Sequence, residues 1–369
     1  MRATVGSAER VTLALRGLYD QYGYRQYKMS KFEEYDLYAR NKDFLVSDHV
    51  ITFTDLSGKL MALKPDVTLS IVKNSKDTPS SVQKLYYHEN VYRVTKGAHG
   101  FREIMQVGLE CFGNVDDYSI AEVLNLASQS LRAISPAAVL DVSHLGILKE
   151  LTDSMGIPTE LRERLVKFIS EKNLHELTAL CRSCGIQEEQ IDLLRWLLTT
   201  GGAPAQVLPQ LRSRLAGSVS SATLDRFETV LHALGQDSLL RIDFSVVDDI
   251  HYYNGFVFKG FVSELPGAIL SGGQYDKLMQ KMNRTDRAIG FAVYTDLLDR
   301  LEEPTDDFDV DVVLLYDASP TVADLCSQVQ LLTAQGRSVL VQQIKPENIR
   351  CKQLMKFDGK EVQILENNA

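Results

Sequence analysis

The sequence predicts an α+β protein: an antiparallel sheet with flanking helices, split along the chain by a helical insertion and closed by a small α/β domain. Three observations carry that prediction. Short β-rich runs follow Gly23 as far as about residue 113, among them HVITFTDL, LMALKP, QKLYYHENVYRV and EIMQVGLECFG. Helical periodicity with glycine stops then occupies residues 119 to 135 and 145 to about 235. Strand signals return at LLRIDFSVVDD and YYNGFVFKGFV, so the sheet is discontinuous in sequence.

Each element has a local reason. Residues 8 to 22 place Ala8, Val11, Leu13, Leu15, Leu18 and Tyr19 largely on one side of a helix that ends at Gly23. The LSGK turn joins HVITFTDL to LMALKP as a hairpin. KLYYHENVYRV and FREIMQVGLECFG, separated by the Gly-containing KGAHG, read as two long antiparallel strands. PTELRERLVKFISEKNLHELTALCRSCG and EEQIDLLRWLLTTGG are the insertion's clearest helices. After AILSGGQYDKL a further helix is expected over residues 290 to 302. The acidic EEPTDDFD reads as a linker, and VDVVLLYD, TVADLCSQVQLLTAQG and RSVLVQQI as a strand, helix, strand unit. The expected boundaries are 1–140 and 239–303 for the two parts of the sheet domain, 141–238 for the insertion and 308–369 for the last domain.

Composition narrows the function classes. With 369 residues, 44% hydrophobic and 24% charged, this is ordinary globular usage, and no apolar run approaches the roughly 20 residues of a membrane span. The N-terminus reads as a first helix rather than a signal peptide, so a cytoplasmic location is expected. Five cysteines fit a reducing compartment, with Cys181 and Cys184 read as ordinary helical residues because no second pair or histidines stand at zinc spacing. A net charge of −9 gives no footprint for nucleic acid. GxSxG, P-loop, Rossmann, HExxH and EF-hand spacings are absent from the sequence, and no metal or cofactor is expected.

Polar residues inside apolar strand patterns supply the candidates. LKPDVT offers Asp66 and Thr68; the long strand pair offers Arg93, Arg102, Gln106 and Glu110; IHYYNG offers His251, Tyr252, Tyr253 and Asn254; LSGGQYD offers Gly272, Gly273, Tyr275 and Asp276. Gln106, Gly108 and Glu110 alternate on one strand and share a face, with the glycine leaving room for a ligand against the sheet. From spacing alone the favoured reading is the plainer one, in which Gln106 and Glu110 sit on the solvent face of an antiparallel strand, as polar residues at period two usually do. Tyr252 and Tyr253, as neighbours in a strand, point to opposite faces, so one serves a pocket while the other packs.

Taken in order, these pieces resemble the catalytic core of class II histidyl-tRNA synthetases over roughly residues 8 to 302. GYRQYKMSKFEEYDLYAR is similar to the first class II motif, LKPDVT to LRPEGT, VYRVTKGAHGFREIMQVGLECFG to the second motif with its loop, IHYYNG and LSGGQYDKL to the two histidine-specific motifs, and AIGFAVYTDLL to the third. The resemblance implies a class II aminoacyl-tRNA synthetase-like sheet and a histidine pocket formed by Asp66, Thr68, Arg102, Gln106, Glu110, Tyr252 and Tyr253. Asp66 would suit an ammonium and Glu110 an imidazole. It also exposes departures: Leu297 replaces the ATP-clamping arginine of the third motif, Asp248 the arginine before the tyrosines, Thr95 the glutamate of FRxE, and Ser30 the first motif's proline. An anion in place of a cation beside a phosphoryl group removes the stabilisation that adenylate chemistry depends on.

This combination resembles the regulatory subunits of ATP phosphoribosyltransferase, synthetase paralogues without catalysis of their own. The resemblance implies a partner, the short-form catalytic subunit, in a hetero-octamer with four regulatory chains, self-association through the class II core, L-histidine as effector, and no nucleic-acid or membrane partner. The rival expectations are a histidine-tRNA ligase and a stand-alone histidine-binding paralogue.

Overall fold

The computed structural model describes residues 6–45, 50–76, 80–94, 100–247, 252–300 and 308–368. Thr95, residues 96–99 of the KGAHG loop, Asp248, His251 and most of the EEPTDDFD segment therefore lie outside the described residues. By their contacts the described residues from 7 onward divide into two units, 7–300 and 308–368.

In the larger unit, helix α1 (Ser7–Gln21) ends where Gly23 turns the backbone to φ 79°, a conformation that costs glycine little. Leu15 and Tyr19, four apart, are fully buried, while Leu13, expected on the same side, is 55% exposed. Strand β1 (Arg25–Gln26) precedes β2 (Phe32–Glu34), helix α2 (Tyr35–Arg40), β3 (Thr52–Thr54) and β4 (Leu60–Leu63). β3 and β4 form the hairpin expected at LSGK, with β2 on β4's other edge. Short helix α3 (Thr68–Asn74) leads into the long antiparallel pair β5 (Val82–Val94) and β6 (Phe101–Gly113). Helix α4 (Asp117–Ile134) starts at an Asp116 cap whose carboxylate accepts from the Ser119 amide at 2.9 Å.

Strand β7 (Val139–His144) opens into the helices α5 (Leu145–Ser154), α6 (Thr159–Ser170), α7 (Leu174–Ser183) and α8 (Glu188–Thr199), the two-residue β8 (Gly201–Gly202), then α9 (Pro204–Leu215) and α10 (Ser221–Ala233). The chain returns through β9 (Leu240–Asp243), β10 (Phe256–Phe261), β11 (Ala268–Gln274), α11 (Asp276–Lys281) and β12 (Arg287–Tyr294). Among the described residues the large sheet runs β1-β5-β6-β12-β11-β10-β7-β9-β8, antiparallel throughout from β5 to β7.

The helix expected over 290 to 302 is corrected here. Residues 287–294 are strand β12, paired with β6 and β11, and only 295–300 form a 3-10 turn. A central strand buried on both faces reads as a continuous apolar run, which periodicity does not separate from a buried helix.

The sheet's two faces do different work. Val107, Leu109 and Cys111 of β6 and Ile289, Phe291 and Val293 of β12 pack with Leu15, Tyr19 and the α4 side chains Ile120, Val123, Leu124 and Ala127 in one apolar core. The alternate residues face a second cluster with Tyr38, Leu69, Ile71, Val72, Tyr87, Val91 and Phe112, and this face carries the cavity described below. No helix of the described residues is long and apolar enough to cross a membrane.

In the smaller unit, β13 (Val310–Tyr316), α12 (Val322–Ala334), β14 (Val339–Gln342), β15 (Cys351–Phe357) and β16 (Val362–Asn367) form a sheet of order β14-β13-β15-β16. β13 lies parallel to β14 and β15, and α12 is set by a capping box between Thr321 and Asp324.

Candidate functional site

A cavity of about 410 Å³ opens on the second face of the large sheet, bounded by β5, β6, β12, β11 and β10, the start of α3 and the turn at Tyr252–Tyr253. Asp66, Thr68, Gln106, Glu110, Tyr252 and Tyr253, all expected from sequence, line it together.

Glu110 is the most constrained of them. Period two along β6 turns it to the same face as Gln106, and both are buried, at 3% and 4% exposure, which overturns the solvent-face reading. The Thr68 hydroxyl donates to Glu110 Oε1 at 2.6 Å, and the Tyr275 hydroxyl donates to Oε2 at 2.6 Å. The carboxyl leans over Gly290, its partner on β12, where a Cβ would fall on Oε2. Burial outweighs the two hydroxyl bonds, and nearby Asp66 adds repulsion, so the Glu110 pKa is pushed up to about 8.

Asp66 sits just before α3 and accepts from the Leu69 amide at 2.9 Å, which fixes its carboxylate at the helix start. Burial raises its pKa, opposed by that amide and by the positive charge of Arg93. Pro65 stands between Lys64 and Asp66, and its carbonyl accepts from Arg93 Nε at 3.2 Å. Lys64, fully buried, pairs with Glu89 at 2.6 Å and holds the loop against β5.

The tyrosine pair is not on a strand. Tyr252 and Tyr253 occupy a turn before β10, their rings 4.7 Å apart and edge to face, and both line the cavity. The expectation of opposite faces is thus corrected: strand alternation does not apply in a turn. Reciprocal bonds pin that turn, with the Asp276 amide donating to Asn254 Oδ1 at 2.8 Å and Asn254 Nδ2 donating to the Asp276 carboxylate at 3.1 Å. Gly108 does not leave a vacant slot either, because the Tyr87 hydroxyl from β5 lies where its Cβ would be.

Arg102 is placed differently from the other candidates. Its guanidinium pairs with Asp296 at 2.7 Å, its side chain is 42% exposed, and the arginine in the cavity wall is Arg93. Leu297, in the turn after β12, packs against the first apolar core. Ser30 accepts from the Phe32 amide at 3.3 Å, where the first motif would carry proline.

Sequence reasoning passed over Tyr87, Lys259, Ser271 and Tyr294, all in the cavity wall. The signal for Lys259 was present, a lone charge in the apolar run FVFKGF of β10. Tyr87 had none, since its register against Gly108 needs the folded pairing. Among the described residues no group of three or more His, Cys, Asp or Glu is placed to hold a metal ion.

The arrangement fits a small ligand with positive groups, which the buried Glu110, the half-buried Asp66 and several hydroxyls would receive. Comparison with known proteins shows the family. The histidyl-tRNA synthetase family model matches residues 2–298. A relative from Oceanobacillus iheyensis named ATP phosphoribosyltransferase regulatory subunit is 27% identical over 291 residues, 77% of this chain and 71% of that protein. A Methanococcus maripaludis protein named histidine–tRNA ligase is 26% identical over 345 residues, 89% of this chain and 80% of that protein. Among solved structures, one titled an ATP phosphoribosyltransferase regulatory subunit/histidyl-tRNA synthetase from Bacillus halodurans superposes with a TM-score of 0.77 at 22% identity, covering 96% of both chains. A chain from an ATP phosphoribosyl transferase (HisG:HisZ) complex of Thermotoga maritima gives 0.61 at 17% identity, covering 77% of this chain and 96% of that one.

Proposed function

Because the chain belongs to the histidyl-tRNA synthetase family, we propose that it is a regulatory subunit of ATP phosphoribosyltransferase, one that has kept the family's amino-acid cavity and given up its adenylate chemistry. It assembles with a short-form catalytic subunit, activates it, and takes part in feedback inhibition by histidine in the first step of histidine biosynthesis. The observation that carries this reading is the contrast within one site. Asp66, Thr68, Glu110 and Tyr275 line a hydrogen-bonded cavity, while the position corresponding to the third motif's arginine is Leu297, half-buried and packed against the apolar core.

In this reading histidine binds with its imidazole at Glu110 and its ammonium at Asp66, and Tyr252 and Tyr253 close the turn over it. Feedback requires that histidine bind one assembly state more tightly than the other, and the coupling is reciprocal: the catalytic subunit shifts histidine affinity by the same factor. The chain acts in the cytoplasm, self-associates through its sheet unit, and contributes four copies to a hetero-octamer. The names of the relatives and the fold shared with a chain of the Thermotoga complex support the partner.

The test is a phosphoribosyltransferase assay that mixes this protein with a short-form catalytic subunit, ATP and phosphoribosyl pyrophosphate, with and without histidine. Activity is expected only in the mixture and falls when histidine is added; absence of activation overturns the proposal. The match to a histidine–tRNA ligase over 89% of the chain favours one second reading, a working ligase. Histidine-dependent ATP–pyrophosphate exchange would support it in place of the first.

A further inference from the structure

Along β12 the side chains on the cavity face grow in size. Gly290, Ala292 and Tyr294 alternate on that face, while Ile289, Phe291 and Val293 pack in the apolar core behind it. The register sets the three opposite Glu110, Gly108 and Gln106 of β6. Glu110 therefore lies over a glycine at one end of the cavity, and Gln106 stands beside a half-buried tyrosine at the other. A strand rise of about 3.4 Å per residue puts about 14 Å between those two levels.

The loop before α3 sets the direction of a ligand along this face. Thr68 bonds Glu110 at the first level. Lys64 and Pro65 are held at the other end of β5, where the Tyr92 amide donates to the Lys64 carbonyl at 2.9 Å and Arg93 Nε to the Pro65 carbonyl at 3.2 Å. Tyr92 and Arg93 pair with Glu103 and Arg102, beyond Gln106. Asp66, the next residue of the loop, is thus on the Gln106 side of Glu110. An imidazole at Glu110 and an ammonium at Asp66 lay the molecule lengthwise along β6. Its carboxyl group, on the same carbon as the ammonium, then lies toward Tyr294.

We propose that Tyr294 is a specificity-determining residue of this cavity: its ring closes the carboxyl end, so the site admits a free amino acid and turns away the same residue at the head of a peptide. The inference rests on the reading that the cavity binds histidine, and it adds a limit on the ligand's length. The ring acts by its bulk, whatever its hydroxyl bonds. Two residues further on, Asp296 holds the Arg102 guanidinium at 2.7 Å. A chain continuing from the ligand's carboxyl group has to displace the ring to reach that pair.

Calorimetric titration of the full chain with L-histidine, L-histidinamide and L-histidyl-L-phenylalaninamide tests it. The two amides carry the same imidazole, amine and amide groups and differ in length. Wild-type protein is expected to bind the short amide more tightly by about tenfold or more. Tyr294→Ala should raise affinity for the long amide about tenfold relative to the short one, and Tyr294→Phe, which keeps the ring, should retain the wild-type ratio. A tyrosine that only supports the fold would weaken both amides together when truncated. Thermal melts report whether each variant is folded, and Tyr294→Leu repeats the measurement with less lost volume if the alanine variant melts early. A ratio unaltered by truncation overturns the proposal, as does a long amide that the truncated variants still fail to bind, or wild-type protein that binds both amides equally. Wild-type protein that does not bind L-histidine overturns the cavity reading itself, and this inference with it.

Discussion

Two regions of the same sheet unit, the acidic end of the cavity and the turn after β12, have been treated oppositely. At the first, Glu110 is buried and Asp66 half-buried, and their oxygens are met by an amide and two hydroxyls. At the second, Leu297 sits against the apolar core, and neighbouring Asp296 neutralises Arg102. Burying a carboxyl such as Glu110 is costly unless it is hydrogen-bonded, whereas a leucine in the core carries no such cost. The difference is between a costly, hydrogen-bonded polar arrangement in the cavity wall and ordinary apolar packing at position 297.

The strongest way to break this comparison is Glu110→Ala, which removes the receiving carboxyl and leaves the Thr68 and Tyr275 hydroxyls without their acceptor. Histidine affinity measured by calorimetry should fall by about a hundredfold, the loss of a buried charge-assisted bond plus two orphaned donors. If affinity is unchanged, the acidic end is structural.

Next comes pH. With its folded pKa raised to about 8 from the ordinary 4.5, Glu110 binds its proton more tightly in the native state than in the unfolded one. Its contribution is therefore lost as pH rises between those values. Buried His144, whose pKa is lowered to about 4, acts in the other direction: it costs stability as pH falls below about 6.5. The clean window for Glu110 is thus above pH 6.5, where up to about 2 kcal/mol should disappear by pH 8. Urea titrations at both pH values measure this, and Glu110→Gln should flatten the slope.

Thr68→Val removes one of the two hydroxyl donors at nearly constant volume. The cost expected is about 1 to 2 kcal/mol, with the Glu110 titration moved further upward because a bond that favours the ionised form is gone. NMR titration of the Glu110 carboxyl carbon reads that shift directly. The smallest effect belongs to Arg102→Ala. Its pair with Asp296 is partly exposed and worth about 0 to 1 kcal/mol, so thermal stability should barely move and histidine affinity should stay within about twofold. A large loss of affinity would return Arg102 to the cavity.

The same contrast separates what could be read from the chain from what could not. The α+β class and the long antiparallel pair follow from hydrophobic period and turn chemistry, both local properties. β15 and β16 were not legible, because a register shift between Leu354 and Met355 breaks the alternation of one, and the other is exposed along most of its length. β12 looked helical because both of its faces are buried. In the site, Asp66, Thr68, Gln106 and Glu110 were legible through the order of their motifs. Tyr275 was noticed only as part of LSGGQYD, since its hydroxyl meets Glu110 across a separation of 165 residues.

The amino-acid sequence by itself determined most of the element types, the family and the residues present at each motif position, including Leu297 and Lys259, because these are properties of neighbours along the chain. Only the tertiary structure decided that Arg93 rather than Arg102 lines the cavity, that both tyrosines face it, and that Lys259 stands three strands away from Glu110 on one face. Those facts depend on strand register and on burial. Both arise when distant segments pair, and no local pattern encodes which partner a side chain will meet.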